Sequence, residues 1–197
     1  MTYKRVAVLL AATLIGCAPA TPEQSGSTSA PEAKPTVAVP DAVIERPERI
    51  DSTAHARGFG PVRAGMTVAQ AEHALGAPLR LLGSKLEPCY HVVVDTRPGV
   101  AFMIVDGRIA RLDVRQPAGV QTAEGAGIGD TEARIHELYP GRVEVQPHKY
   151  SAGHYLVVTP QAPADSTHRM IFETDGTRVM SYRTGRLPEV GWVEGCS

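Results

Sequence analysis

Aromatic residues are scarce in this 197-residue chain, which has one Trp, three Phe and six Tyr. Cysteine is scarcer still, and three of them are too few for a mini-protein held by a disulfide framework. Neither charge sign is in surplus, with 20 Lys and Arg against 21 Asp and Glu and a net charge of -1. That balance excludes a strongly basic nucleic-acid binder, because neutralising phosphates needs a cationic excess. Only one run is apolar enough to meet a membrane, Val6 to Ile15. As a helix it would reach about 15 Å, roughly half of a bilayer's hydrocarbon thickness. Catalytic motifs are missing as well: there is no G-x-S-x-G elbow, no H-E-x-x-H and no P-loop. The glycine-rich Gly125–Asp130 stretch has Asp130 where a nucleotide loop carries its third glycine, and it reads as a connector. Glu87, Asp95, Asp113, Glu173 and Asp175 fall on different expected strands and turns, so no acid–base pair stands out. The expectation is a non-enzymatic protein with no cofactor and no metal.

What the chain does contain begins with an address. Lys4 and Arg5 precede the apolar run, which ends in Leu14-Ile15-Gly16-Cys17, the order of a cleaved secretory signal. The last four residues resemble a bacterial lipobox. That resemblance implies a signal peptide over residues 1–16 and acylation of Cys17, with Ala18 directing the product to the outer membrane. Two or more acyl chains anchor stably where one is marginal. The folded part is then expected in the periplasm or at the cell surface, held to the membrane through its lipid.

Residues 17–54 read as a tether. Ala18 to Thr53 holds six of the sixteen prolines and no aromatic residue, so it cannot bury enough surface to offset the entropy of ordering it. The folded domain is expected to begin near His55 to Phe59.

The remainder repeats itself. Gly65 to Gly76 aligns with Ile128 to Tyr139 at an offset of 63, which pairs Thr67 with Asp130, His73 with His136 and Leu75 with Leu138. Thr67 and Asp130 suit a helix N-cap, and Thr67-x-x-Gln70 fits a capping box. Strand patterns follow in both copies: Tyr90–Val94 with His154–Val158, then two runs broken by Asp106-Gly107 and Asp175-Gly176, a strong hairpin signal. The expected fold class is α+β, with two tandem helix-plus-antiparallel-sheet units packed together, over residues 55–120 and 121–197.

Gly65-Met66-Thr67-x-x-Gln70-Ala71-x-x-Ala74-Leu75-Gly76-Ala77-Pro78 resembles the opening of the SmpA/BamE family of small outer-membrane lipoproteins of barrel assembly. Two tandem copies resemble the architecture of β-lactamase inhibitory proteins. Gln146-Pro147-His148-Lys149-Tyr150 and the ending Trp192-Val193-Glu194-Gly195-Cys196 are similar to gamma-proteobacterial envelope lipoproteins loosely labelled lectin. These resemblances imply a binding role, toward a glycan or toward an envelope protein as an assembly adapter or hydrolase inhibitor.

With Cys17 acylated, Cys89 and Cys196 form an even remainder in an oxidising compartment, and are expected to form one disulfide. Trp192 should pack beside it. The densest polar-aromatic group is His148, Lys149, Tyr150, His154 and Tyr155. Rings with hydrogen-bonding heads suit sugar or protein surfaces, so these five are the ligand-binding candidates; half-buried tyrosines on a strand edge are the structural alternative.

Overall fold

The computed structural model describes residues 52–196. The expected signal peptide, Cys17 and nearly all of the expected tether lie outside the described residues. Three two-residue strands open the described part, β1 (Ala54–His55), β2 (Gly58–Phe59) and β3 (Val62–Arg63). Helix α1 (Val68–Leu75) follows, then β4 (Arg80–Leu86), β5 (Cys89–Val93), β6 (Val100–Val105) and β7 (Arg108–Val114). Helix α2 (Glu132–Leu138) precedes β8 (Val143–Pro147), β9 (His154–Val158), β10 (His168–Thr174) and β11 (Val179–Arg186). Among the described residues no helix is long and apolar enough to cross a membrane.

The expected α+β pair of packed units is overturned. Strands β4 to β11 form one continuous antiparallel sheet in the order β4-β5-β6-β7-β11-β10-β9-β8, and among the described residues regular structure is mostly strand, with two α-helices of 8 and 7 residues. The two copies merge because β7 pairs with β11, Val114 opposite Tyr182 through Arg111 opposite Gly185. Neither four-stranded half then leaves an open edge at the middle, where unpaired backbone groups would otherwise need partners. Gly185 permits the join: a Cβ there would lie 2.4 Å from the Ala110 carbonyl oxygen.

Alternation along the strands divides the side chains between two faces. Val92, Phe102, Ile104, Leu112, Leu156, Phe172 and Tyr182 share the main core with Ala71 and Leu75 of α1, Ile135 of α2 and the adjoining Tyr139. Phe59 and Val62 of the N-terminal strands join that core; the sequence pattern gave no sign of these short strands. The second face carries two smaller apolar groups, Met103, Val105 and Ala110 beside the disulfide, and Tyr155, Ile171 and Val190.

The helices repeat at an offset of 64, not 63. Thr131, rather than Asp130, caps α2, its side chain accepting from the Arg134 N–H as Thr67 accepts from Gln70 in α1. The Asp130 carboxylate is occupied elsewhere, accepting from the Gly127 N–H at 2.8 Å. At the corrected offset Ala71 matches Ile135 and Leu75 matches Tyr139, all buried. Arg108 donates to the Gly65 carbonyl at 2.8 Å, and Arg178 repeats this on Gly129 at 2.7 Å. His73 and His136 lose their equivalence.

Candidate functional site

After β11 the chain turns back across the second face of the sheet. A 3₁₀ turn at Glu189–Gly191 leads to Cys196, which is bonded to Cys89 of β5, Cα to Cα 5.3 Å apart across 107 residues of sequence. Two strand arginines hold this strap by its backbone. Arg111 donates to the carbonyls of Glu189 (3.2 Å) and Trp192 (2.7 Å), and Arg183 donates from Nε to Val190 at 2.8 Å.

Both arginines are buried, so their charges need nearby compensation. Arg111, only 3% exposed, pairs with the Asp113 carboxylate at 3.0 Å. Arg183 pairs with Glu173 at 3.2 Å, and its guanidinium lies 5.4 Å from the Tyr155 ring centre. Burial and the charge of Arg111 hold Arg183 below the usual guanidinium range, opposed by Glu173 and Asp113. Imidazoles close both ends of the row. His91 lies 3.9 Å from Asp113 and His148 lies 2.7 Å from Glu173. Burial pushes Glu173 up, but the His148 hydrogen bond and the Arg183 charge outweigh it, and the carboxyl sits below its ordinary range.

His148 also shows how its proton is placed. Its Nδ1 accepts from the Tyr150 N–H at 3.0 Å, so Nε2 is the nitrogen that donates to Glu173. Gly153 lets this loop close on β10, since a Cβ there would lie 1.9 Å from the Thr174 carbonyl oxygen.

Four of the five candidate residues, His148, Lys149, Tyr150 and Tyr155, are linked by ring and cation contacts, and His154 is not among them. His148 stacks on Tyr155, ring centres 4.6 Å apart, but Tyr155 is 6% exposed and serves as floor for the strap. Being adjacent in β9, His154 and Tyr155 point to opposite faces. His154 instead bonds Glu132 of α2 at 2.9 Å, and Glu132 also accepts from the Thr174 hydroxyl. Burial raises the Glu132 carboxyl, and these two hydrogen bonds more than reverse it. What remains outward is Tyr150, 62% exposed, with the Lys149 ammonium 4.9 Å from its ring centre.

Lys149 joins that ring to the strap through an ion pair with Glu194 at 3.1 Å. Trp192, 38% exposed, lines an open cleft of about 550 Å³ with Glu87, Pro88, Glu194 and the two bonded cysteines. The indole thus sits beside the disulfide in a cleft wall. Sequence reading placed Trp192 beside Cys196 but did not see it as lining a site. It also did not single out Arg111 and Arg183 and set Asp113 aside, because charged residues that alternate with apolar ones along a strand read as its solvated face; only the strap buries them. Among the described residues no three His, Cys, Asp or Glu side chains are grouped to hold a metal ion. No family model, curated protein or solved structure matches the chain.

Proposed function

We propose that this is a non-enzymatic lipoprotein of the outer membrane that binds a glycan in the cleft beside Trp192. The observation that carries the reading is a cleft wall of Trp192, Glu87 and Glu194, with the exposed Tyr150 ring tied to it through Lys149, which meets both that ring and Glu194. A sugar ring offers apolar C–H faces to aromatic rings and hydroxyls to carboxylates, so this set matches its chemistry. The wide mouth of the cleft suits a chain that runs past rather than a small molecule that is enclosed. The lipobox-like Leu14–Cys17 supports attachment to the membrane through acylated Cys17, and the near-neutral charge argues against a nucleic-acid partner. An adapter or hydrolase inhibitor is the alternative, supported by Leu81 and Leu82, which are exposed on the edge strand β4.

Trp192 is the only tryptophan, so its emission reports the cleft directly. Titration with soluble peptidoglycan fragments and with chito-oligosaccharides should give a saturable blue shift for one of them. Tyr150→Ala and Glu194→Gln should weaken it at least tenfold while leaving the unliganded spectrum in place. An unchanged emission at millimolar sugar, together with photo-crosslinking from position 150 to a single envelope protein, would replace the glycan reading by the adapter one.

A further inference from the structure

The two halves of the sheet treat their second face differently. Register relates them: Val92 opposes Phe102 and Phe102 opposes Leu112, as Leu156 opposes Phe172 and Phe172 opposes Tyr182. Their neighbours on the other face therefore correspond, His91 with Tyr155, Val93 with Val157, Ala101 with Ile171 and Asp113 with Arg183. On the β8–β11 half the chain's own strap lies on these positions. Val190 and Val193 pack with Tyr155, Val157 and Ile171, and Arg183 donates to the Val190 carbonyl at 2.8 Å. On the β4–β7 half the same positions lie outside that valine group, with His91, Val93 and Ala101 half-buried and Asp113 buried. His91, Val93, Ala101 and Asp113 line a cleft of about 420 Å³ with Leu82 and Arg115, and Leu82 is 50% exposed.

We infer that this open cleft is a docking site for an extended aliphatic peptide segment of a partner protein, seated as Val190–Val193 is seated on the corresponding half. The molecule itself displays what this surface takes: valine side chains on a strand floor and a main-chain carbonyl held by a guanidinium. In the β4–β7 half Ala101 stands where Ile171 fills space, which deepens the floor. Asp113 stands where Arg183 does, with its carboxylate already paired to Arg111. The donor role passes to Arg115, exposed at the rim, whose guanidinium has no hydrogen-bond or ion-pair partner among the described residues. Burial lowers His91 below the ordinary imidazole value, which leaves a neutral ring able to donate or accept at neutral pH. The inference goes beyond the glycan reading and uses none of its residues.

The strap sequence Leu187–Glu194, made as a free peptide with blocked ends, is the probe. Added to isotope-labelled full-length protein with its disulfide intact, it should shift the amide resonances of Val93, Ala101 and Arg115 saturably. Ala101→Phe, which fills the cleft, should abolish the effect. Arg115→Gln should weaken it about tenfold, the value of one hydrogen bond from a charged donor. A peptide with both valines changed to serine should not bind. Shifts confined to Tyr155, Val157 and Ile171 would mean that the probe only displaces the strap, and would overturn the inference. So would full binding by the Ala101→Phe protein, or no saturable shift at millimolar peptide. The sugar titration of Trp192 is run without the peptide, so it is decided independently of these outcomes.

Discussion

Glu173 concentrates the electrostatics of the strapped face in one side chain. It accepts from His148 at 2.7 Å, from Arg183 at 3.2 Å and from the Ser181 hydroxyl at 3.3 Å. Its carboxyl is held below the ordinary value of 4.5, so the folded protein favours the charged form more than the unfolded chain does. For a lowered carboxyl the stabilisation is fully present above the unfolded value and is lost as pH falls through the folded one. The urea midpoint of the native protein should therefore decline from pH 5 to pH 3. A Glu173→Gln protein, which has nothing to protonate at that position, should start lower and decline less steeply. Parallel slopes for the two proteins would show that Glu173 is not linked to folding. Other acidic groups, Glu132 among them, contribute to both slopes, so the difference between the curves is the quantity to read.

At the scale of elements, the hairpins were legible and the pairing between the two copies was not. Alternating apolar runs and the Asp106-Gly107 turn mark the β6–β7 hairpin, since a tight turn needs positive φ, observed at 50° and 74°. Nothing local says that β7 should pair with β11, because that contact joins residues about 70 apart and depends on close approach of two backbones. Gly185 is the residue that allows it. Gly185→Ala places a methyl group 2.4 Å from a carbonyl oxygen and 2.8 Å from the Arg111 Cα, both backbone atoms that cannot rotate away. The seam must open or bend, with a cost of about 1–3 kcal/mol or more, the range for forcing extra volume into a packed site. Gly119→Ala, where a Cβ meets nothing within 4 Å, should stay within about 0.5 kcal/mol of the native protein. Equal losses for the two variants in chemical denaturation would remove the seam argument. Period-two alternation also explains the fate of the candidate site. It separates His154 from Tyr155, a consequence the sequence itself carried once β9 was assigned.

For the whole molecule the strap is the part that sequence reading could least describe. The acceptors that place it are the backbone carbonyls of Glu189, Val190 and Trp192, and a carbonyl leaves no mark in a sequence. Only its far end, the bond between Cys196 and Cys89, has a residue-level signature. That bond closes a loop with a separation of 107 residues, spanning the seam between the two halves. The chain-entropy model gives about 4.7 kcal/mol for a loop of about 100 residues. Replacing both cysteines by serine should therefore lower the unfolding free energy by up to about that amount, without changing which strands pair. The arginine contacts and the packing of Val190 remain in such a protein, so the strap should loosen from its free end rather than detach at once. Two further readouts separate loosening from global instability. Under native conditions Trp192 emission should move to the red, and limited proteolysis should cut first within residues 192–196. A Cys89→Ser, Cys196→Ser protein with native midpoint, native emission and no new cleavage would mean that the arginines alone hold the strap. The cleft beside Trp192 would then owe its shape to Arg111 and Arg183 rather than to the bridge.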